Sequence, residues 1–230
     1  MGYRLYYKAS ISGAGSPNYL NSPQDLVISG NTVYVVGGES YLSCFDITNA
    51  MSGTITHITA GQGGGDYPAS YFAGDSHWNE FYPYAYEAIY NANSYTVWWN
   101  GLLGWVVQDS LSGAGAPNYL GGALHNSKLG NYGYVASYLD DVISIINVAD
   151  PFNIFYVAQA AIVKPYSVSA SGTTLTAYRI DSTTGRVEIC TWNITDPTIP
   201  VFIGCTLQNA TTATAKRITL AGSNLWVAGA

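Results

Sequence analysis

One stretch of this chain occurs twice. Residues 9–20 read ASISGAGSPNYL, and residues 109–120 read DSLSGAGAPNYL, so both contain S-G-A-G-x-P-N-Y-L. A segment repeated this closely indicates that the same structural unit occurs more than once. Internal repeats constrain the fold more strongly than any local pattern does, because each repeat is one supersecondary unit of a larger array.

A second signal recurs with the first. Three apolar segments end in the pattern [DN]-[IV]-[TA]-[DN]-[AP], at residues 46–50, 147–151 and 193–197. An Asp or Asn at a strand end accepts a hydrogen bond from the backbone N–H two residues on, and Pro stops the ladder. These turns and the duplicated stretch give five recurring positions, namely Ala9, Asp46, Asp109, Asn147 and Asn193. The longest interval carries an insertion at residues 61–81.

Each unit is predicted to contain four short strands. The segments between turns are rich in β-branched and aromatic residues, as strands prefer, and none has sustained helical periodicity. In the second unit the expected strands are residues 82–90, 94–100, 103–109 and 118–124. Short strands repeating with a period near 40 to 46 residues predict an all-β, five-bladed β-propeller of four-stranded blades.

The last blade is expected to be closed by strands from both termini. Residues 215–229 would supply its first two strands, and residues 3–20 its third and fourth, which would remove exposed sheet edges. The prediction is a single domain, 1–230. Its units are 1–23 with 211–230, 24–61, 62–124 with the insertion 61–81, 125–162 and 163–210.

The repeated unit resembles the LVIVD-type repeat of bacterial and archaeal surface β-propellers. The strand, S-G-N turn, V-Y-V-V strand and D-I-T-N-A or N-I-T-D-P turn carry the resemblance, most clearly in 24–60 and 163–208. It implies a scaffold for surface display or interaction and carries no catalytic residues. The chain is also similar in size to five-repeat lectins, but their sugar-site motif is not repeated here.

Charge and composition exclude some partners. Charged residues make up 10% of the chain, the net charge is −6, and no basic cluster occurs, which argues against nucleic acid and anionic membranes. The sequence has no apolar run long enough for membrane insertion and no signal peptide at its start. Low charge and 20 tyrosines favour an extracellular or virion surface. The sequons at Asn193 and Asn209 are glycosylation candidates or chance matches.

Cysteine and histidine spacing gives few candidate sites. Cys190 and Cys205 fall opposite each other across a hairpin, so they form a disulfide or remain two buried thiols. Cys44 is expected in the core, and His57 on a strand surface. The loop segment with Asp75, His77 and Glu80 offers metal ligands, but such polar loops are usually solvated. No metal or cofactor is predicted.

The insertion holds the candidate interaction residues. On its glycine-rich frame lie Tyr67, Tyr71, Phe72, His77, Trp78 and Phe81. Long loops in compact domains are often functional, although these aromatics could instead cover a neighbouring blade.

Two functions are compatible with these features. Known nucleophile, metalloprotease and phosphate-loop motifs are absent, so the chain is expected not to be an enzyme. The first hypothesis is a non-catalytic structural or interaction propeller that assembles with itself into filaments. The alternative is a carbohydrate-binding, lectin-like propeller with glycans as partners.

Overall fold

The computed structural model describes residues 9–13, 16, 18, 20, 23–29, 31–37, 41–62, 72–75, 84–89, 92–101, 104–211, 215–221 and 224–229. These residues form an all-β structure with a single short 3-10 turn, Ala50–Ser52. No helix among them has the length and apolar character needed to cross a membrane.

The described strands form four four-stranded sheets and one two-stranded sheet. The first sheet contains β1 (Pro23–Ser29), β2 (Thr32–Gly37), β3 (Tyr41–Asp46) and β4 (Thr56–Gln62). The second contains β5 (Phe72–Asp75), β6 (Tyr84–Ile89), β7 (Ser94–Gly101) and β8 (Gly104–Ser112). The third contains β9 (Ala123–Leu129), β10 (Tyr132–Ser137), β11 (Val142–Asn147) and β12 (Phe155–Ala161). The fourth contains β13 (Ser167–Ser171), β14 (Thr174–Ile180), β15 (Arg186–Asn193) and β16 (Val201–Thr211). The last two strands, β17 (Ala215–Ala221) and β18 (Asn224–Gly229), pair with each other.

Within each sheet the strands pair antiparallel in chain order, as short connections dictate. Asp46, Asn147 and Asn193 are the last residues of the third strands β3, β11 and β15. Their side-chain oxygens accept the backbone N–H two residues on, at 2.7, 2.9 and 2.8 Å respectively. The predicted strand-ending turn is therefore present in all three sheets.

Consecutive sheets contact each other through their first strands. β1 lies beside β5, β5 beside β9, β9 beside β13, and β13 beside β17. The core fills the space between neighbouring sheets: Ile143, Ile145, Leu175 and Trp192 pack between the third and fourth. Tyr95 and Val97 of the second sheet share a buried cluster with Ile146 of the third and with Val148, which follows β11. Each large aliphatic side chain buried this way contributes roughly 1.5–3 kcal/mol.

The strand prediction for the second unit is wrong in two places. Of the predicted strand 118–124, only residues 123 and 124 are in a strand, as the start of β9; residues 118–122 form the turn before it, because Tyr119 and Gly122 have left-handed backbones that an extended strand does not allow. The missing strand comes from inside the predicted insertion, where Phe72–Asp75 forms β5. Asp109 also lies within the fourth strand β8 instead of ending a third strand.

The duplicated stretch is a connection between sheets. In its second copy it links β8 to β9, with Leu120 N–H bonded to Gly113 O at 2.9 Å and Asn118 Nδ2 to Ser112 O at 2.8 Å. The first copy makes the same bonds, Leu20 to Gly13 at 2.7 Å and Asn18 to Ser12 at 2.7 Å. Ser16 and Asn18 therefore lie in a turn, so the prediction of a strand there is wrong. Of the other expected closing strand, residues 3–12, residues 3–8 lie outside the described residues, and residues 9–12 are not in a strand.

Candidate functional site

The outermost strand of the fourth sheet exposes an unusual amount of apolar surface. Val201, Phe202 and Ile203 of β16, and Ile199 just before it, are between 56% and 67% exposed, and Leu207 is 43% exposed. We call residues 199–207 the outer edge. Single exposed apolar residues are ordinary, whereas a contiguous group of large ones marks an interaction surface.

The outer edge is a sheet edge as well as an apolar strip. β16 pairs with β15 on one side, and among the described strands none pairs with its other side. A register shift places Gly204 opposite Thr191 and Phe202 opposite Trp192, so Ile203 is an extra residue that bulges from the ladder. An edge strand of this kind presents backbone N–H and C=O groups that can pair with another chain.

Charge is absent from the outer edge. Residues 199–211 contain no Asp, Glu, Lys or Arg. Natural sheet edges are usually protected by charged residues, especially Lys, or by Pro. With charge lacking, Pro200 and the bulge at Ile203 are the features of the outer edge that oppose pairing.

A disulfide fixes the middle of the outer edge to the rest of its sheet. Cys190 of β15 lies opposite Cys205 of β16, and the two are joined, with their Cα atoms 4.0 Å apart. The Trp192 and Phe202 rings pack nearby with centroids 5.6 Å apart. The edge strand is therefore held in place while its apolar side chains remain exposed.

A second candidate surface lies at one end of the sheets. The connections that enter β9 and β13, and the β6–β7 and β10–β11 turns, lie together there, and we call this the crossover face. Among the described residues, all four non-glycine residues with positive φ belong to it: Asn93 (48°), Tyr119 (51°), Asp141 (57°) and Lys164 (48°). Such conformations cost free energy and concentrate at functional sites.

Side chains clamp the connections of the crossover face together. Asp140 Oδ2 accepts the Gly115 and Gly121 N–H groups at 2.9 and 2.7 Å. The neighbouring Asp141 accepts the Lys164 N–H at 2.9 Å. On the other side, Asn93 Oδ1 accepts the Gly122 N–H at 2.7 Å. The left-handed residues are thus held by bonds that cross from one sheet to the next.

Aromatic rings cover part of this face. Tyr166 packs against Tyr138 and Tyr178, with centroids 5.1 and 5.7 Å away. Lys164 Nζ lies 5.8 Å from the centroid of the Tyr138 ring. Leu139 and Val163 are exposed beside them. The crossover face therefore combines partly exposed tyrosines with apolar and carboxylate side chains.

Polar side chains are buried where the first strands meet. His125 Nδ1 of β9 lies 3.2 Å from Ser167 Oγ of β13 and accepts the Val168 N–H at 3.3 Å. Ser167 Oγ also accepts the Ile218 N–H of β17 at 3.2 Å. Because the Val168 N–H points at Nδ1, that nitrogen acts as the acceptor. Sequence reasoning missed this network; the alternating serines of β13 were the available signal.

This serine and histidine pair joins strands. Ser167 is fully buried and His125 is 8% exposed, and both are occupied by bonds that link three sheets. Nucleophilic catalysis needs a serine that a substrate can reach. We therefore assign the pair a structural role.

The structure describes only some of the sequence-predicted site residues. Tyr67, Tyr71, His77, Trp78 and Phe81 lie outside the described residues, and of Phe72 only the backbone at the start of β5 is described. Asn193 is exposed at the end of β15, and Asn209 lies within β16. Cys44 is buried, and His57 packs against Phe45 with ring centroids 5.6 Å apart.

The described residues contain one close group of metal-ligand types, Glu188, Cys190 and Cys205. Its two sulfurs are joined to each other, so neither is a thiolate that could bind an ion. Glu188 is paired with Arg179 Nε at 2.5 Å. This group holds the edge of the sheet together and is not a metal site.

No family model and no curated protein matches the sequence. Solved structures match the fold. A putative 6-phosphogluconolactonase from Bacteroides fragilis aligns with a TM-score of 0.61 and 18% identity, over 91% of this chain and 64% of that one. A second protein of that description, from Bacteroides uniformis, aligns with a TM-score of 0.58 and 16% identity, over 91% and 71%. A chain of a mitotic checkpoint complex aligns with a TM-score of 0.62 and 11% identity, over 90% and 60%.

These neighbours have propeller folds, which agrees with the predicted class. The chain spans 64% of the length of the Bacteroides fragilis protein. At these identities the likeness shows the fold alone. With no family model matching, the LVIVD resemblance is not shown.

The comparisons correct one expectation. The absence of catalytic motifs predicted that the chain is not an enzyme, and this prediction is contradicted, because two structures with this fold are described as putative 6-phosphogluconolactonases. The physical reason is that a scaffold of sheets does not fix chemistry: the same fold carries binding and catalytic sites in its loops. The structural likeness assigns no reaction and no substrate to this chain.

Proposed function

We propose that the protein is an interaction domain with a propeller architecture that associates with further copies of itself through the outer edge. The observation that carries the proposal is the exposed, uncharged apolar strip at residues 199–207 on an edge strand. Strand addition at such an edge gains main-chain hydrogen bonds, and apolar side chains add buried area.

The charge pattern favours a second copy as the occupant. A partner recognised by charge would find no charged residue in 199–211, whereas two copies meet there without like-charge repulsion. An antiparallel pairing centred on Gly204 places Val201 opposite Leu207 and Phe202 opposite Thr206. A Cβ on Gly204 would meet nothing within 4 Å, so a second strand has open space at the centre.

The same proposal includes five blades and a closed ring. Residues 9–20 repeat the β8–β9 connection, so the residues before Gly13 correspond in sequence to those of β8, although the described residues 9–13 are not in a strand. We propose that the residues before Gly13 lie on the outer side of the β17–β18 sheet. The N-terminal residues would then supply one strand to this sheet, where the sequence predicted two. Deleting residues 2–12 should then abolish cooperative unfolding. An unchanged thermal transition would contradict the proposed closure of the ring.

An extracellular or virion surface suits this function. A disulfide in a small domain persists in an oxidising compartment. The resemblance to LVIVD-type surface propellers points the same way. Detection of the oxidised Cys190–Cys205 pair in protein isolated from its native source would test this location.

Carbohydrate binding at the crossover face is the second candidate. The four left-handed residues and the tyrosines around Tyr166 favour it, because aromatic rings and carboxylates are common sugar contacts. A glycan array with wild type and a Tyr138→Ala variant tests it. Binding to defined glycans that the variant loses would support this function, and an empty array would remove it.

Sedimentation velocity over a wide range of concentration tests self-association. We expect wild type to form larger species as the concentration rises, and Ile203→Lys to remain monomeric. Ile58→Lys is the matched control, because Ile58 is also exposed (54%) on an outermost strand, β4. A monomeric wild type throughout, or equal loss in both variants, would overturn the proposal.

A further inference from the structure

The sequon at residues 193–195 has a local structure suited to a covalent modification. Asn193 and Thr195 are exposed while Ile194 between them is buried. The Thr195 backbone N–H and hydroxyl both donate to Asn193 Oδ1, each at 2.8 Å. Since both bonds use Oδ1, the side-chain amide nitrogen Nδ2 is left out of them and is presented on the surface at a strand end.

We propose that Asn193 is an N-glycosylation site and that its glycan covers one end of the outer edge. Surface Asn-x-Thr segments of exported proteins accept such glycans. In the reaction, Nδ2 forms a bond to the anomeric carbon of a sugar carried on a polyprenyl pyrophosphate. The bond from that carbon to the pyrophosphate oxygen breaks, the pyrophosphate leaves, and the amide loses one proton.

The position of Asn193 relates the glycan to the outer edge. Asn193 lies directly opposite Val201, the first residue of β16. Opposed residues of an antiparallel pair project from the same face, with Cβ atoms roughly 4.5–5.5 Å apart. A glycan on Asn193 therefore lies over Val201, next to the exposed Ile199, and hinders a second copy there. This regulatory consequence rests on the proposed self-association, whereas occupancy of the site does not.

The second sequon is in a different setting. Asn209, Ala210 and Thr211 all lie inside β16, in extended backbone, where no strand-ending turn is available. The structure therefore assigns occupancy to Asn193 and not to Asn209.

The turn at Asn147 is a control site that resembles the turn at Asn193 but lacks the threonine hydroxyl. Asn147 ends β11 in the same turn, with its Oδ1 accepting the Ala149 N–H at 2.9 Å. The sequon is incomplete at its third position, where Ala149 stands in place of the threonine found at Thr195. Ala149→Thr completes a sequon with this geometry and gives a gain-of-modification control.

Secretion of the full chain from a eukaryotic cell line that N-glycosylates, followed by peptide mass spectrometry, tests occupancy. Peptide N-glycosidase converts each glycosylated Asn to Asp, which locates the site. We expect conversion at residue 193 in wild type, none there in Thr195→Val, and new conversion at 147 in Ala149→Thr. The proposed site would be overturned if Asn193 is unmodified while Asn147 of the Ala149→Thr variant, or a reporter protein secreted by the same cells, is glycosylated.

The effect on assembly is measured separately. The secreted glycoprotein should sediment as a monomer at concentrations where the Asn193→Asp variant, which matches the enzymatically released protein, associates. Equal association with and without the glycan would overturn its shielding role. If protein produced in bacteria never associates, the proposal of self-association is wrong, whereas the result on glycosylation of Asn193 is unaffected.

Discussion

Gly121 lies so close to the carboxylate of Asp140 that a Cβ atom at position 121 would be 2.5 Å from Oδ1. We expect Gly121→Ala to destabilise the fold by about 1–3 kcal/mol, because the carboxylate must move away from the N–H groups it accepts. Denaturant unfolding measures the change. Gly204→Ala is the control, since a Cβ there meets nothing within 4 Å. Equal effects of the two substitutions would show that the contact is not tight.

Reduction of the Cys190–Cys205 disulfide should destabilise the protein. The two cysteines are 15 residues apart in sequence, and a loop of that size corresponds to roughly 3 kcal/mol in the chain-entropy account. Denaturant unfolding with and without a reductant, and of the Cys190→Ala/Cys205→Ala variant, measures the loss. Superimposable unfolding curves for the oxidised and reduced protein would refute it.

Acid should weaken the turns that end the strands. The Thr48 hydroxyl and N–H lower the pKa of Asp46, and those of Thr198 lower the pKa of Asp196, from an ordinary value of 3.8. A carboxyl group with a lowered pKa in the folded state stabilises the fold above its unfolded pKa. That contribution is lost as the pH falls below about 3.8 through the folded pKa. NMR titration should place both pKa values below those of unfolded peptides, and Thr198→Val should return that of Asp196 towards 3.8.

Cys44 should not react in the native protein. Burial raises the pKa of its thiol to about 12, so almost no thiolate exists near neutral pH. A thiol reagent added to the reduced native protein should label the exposed Cys205 quickly and Cys44 only after unfolding. Labelling of Cys44 at the rate of Cys205 would mean that the strand β3 opens locally.

Sequence patterns predicted the strands best where each strand carries its own signals. In residues 24–60 and 163–208 the β-branched runs end in Asx turns, and both features act locally. β5 was missed because Phe72–Asp75 is short and lies beside glycine-rich sequence. It is placed between β1 and β9, so contacts from distant parts of the chain determine it.

The candidate surfaces were harder to predict from the sequence. The sequence of Val201–Ile203 predicts only an ordinary strand, because the exposure of these side chains follows from the outermost position of β16 and from the bulge at Ile203. The pairing of His125 with Ser167 depends on how two sheets align, which no local pattern encodes. The opposition of Cys190 and Cys205 was foreseeable because a single hairpin sets it.

The small residues on the first strands have a geometric consequence for the third and fourth sheets. Where β9 and β13 meet, the Ala170 N–H reaches the Ser127 hydroxyl at 3.0 Å, so the two backbones approach closely. Farther out, the same sheets are held apart by large side chains such as Trp192. The third and fourth sheets therefore diverge from their first strands towards Trp192, and the difference in side-chain size between those places sets the angle between the two sheets. A bulkier residue in place of Ser127 would widen the inner end and flatten that angle.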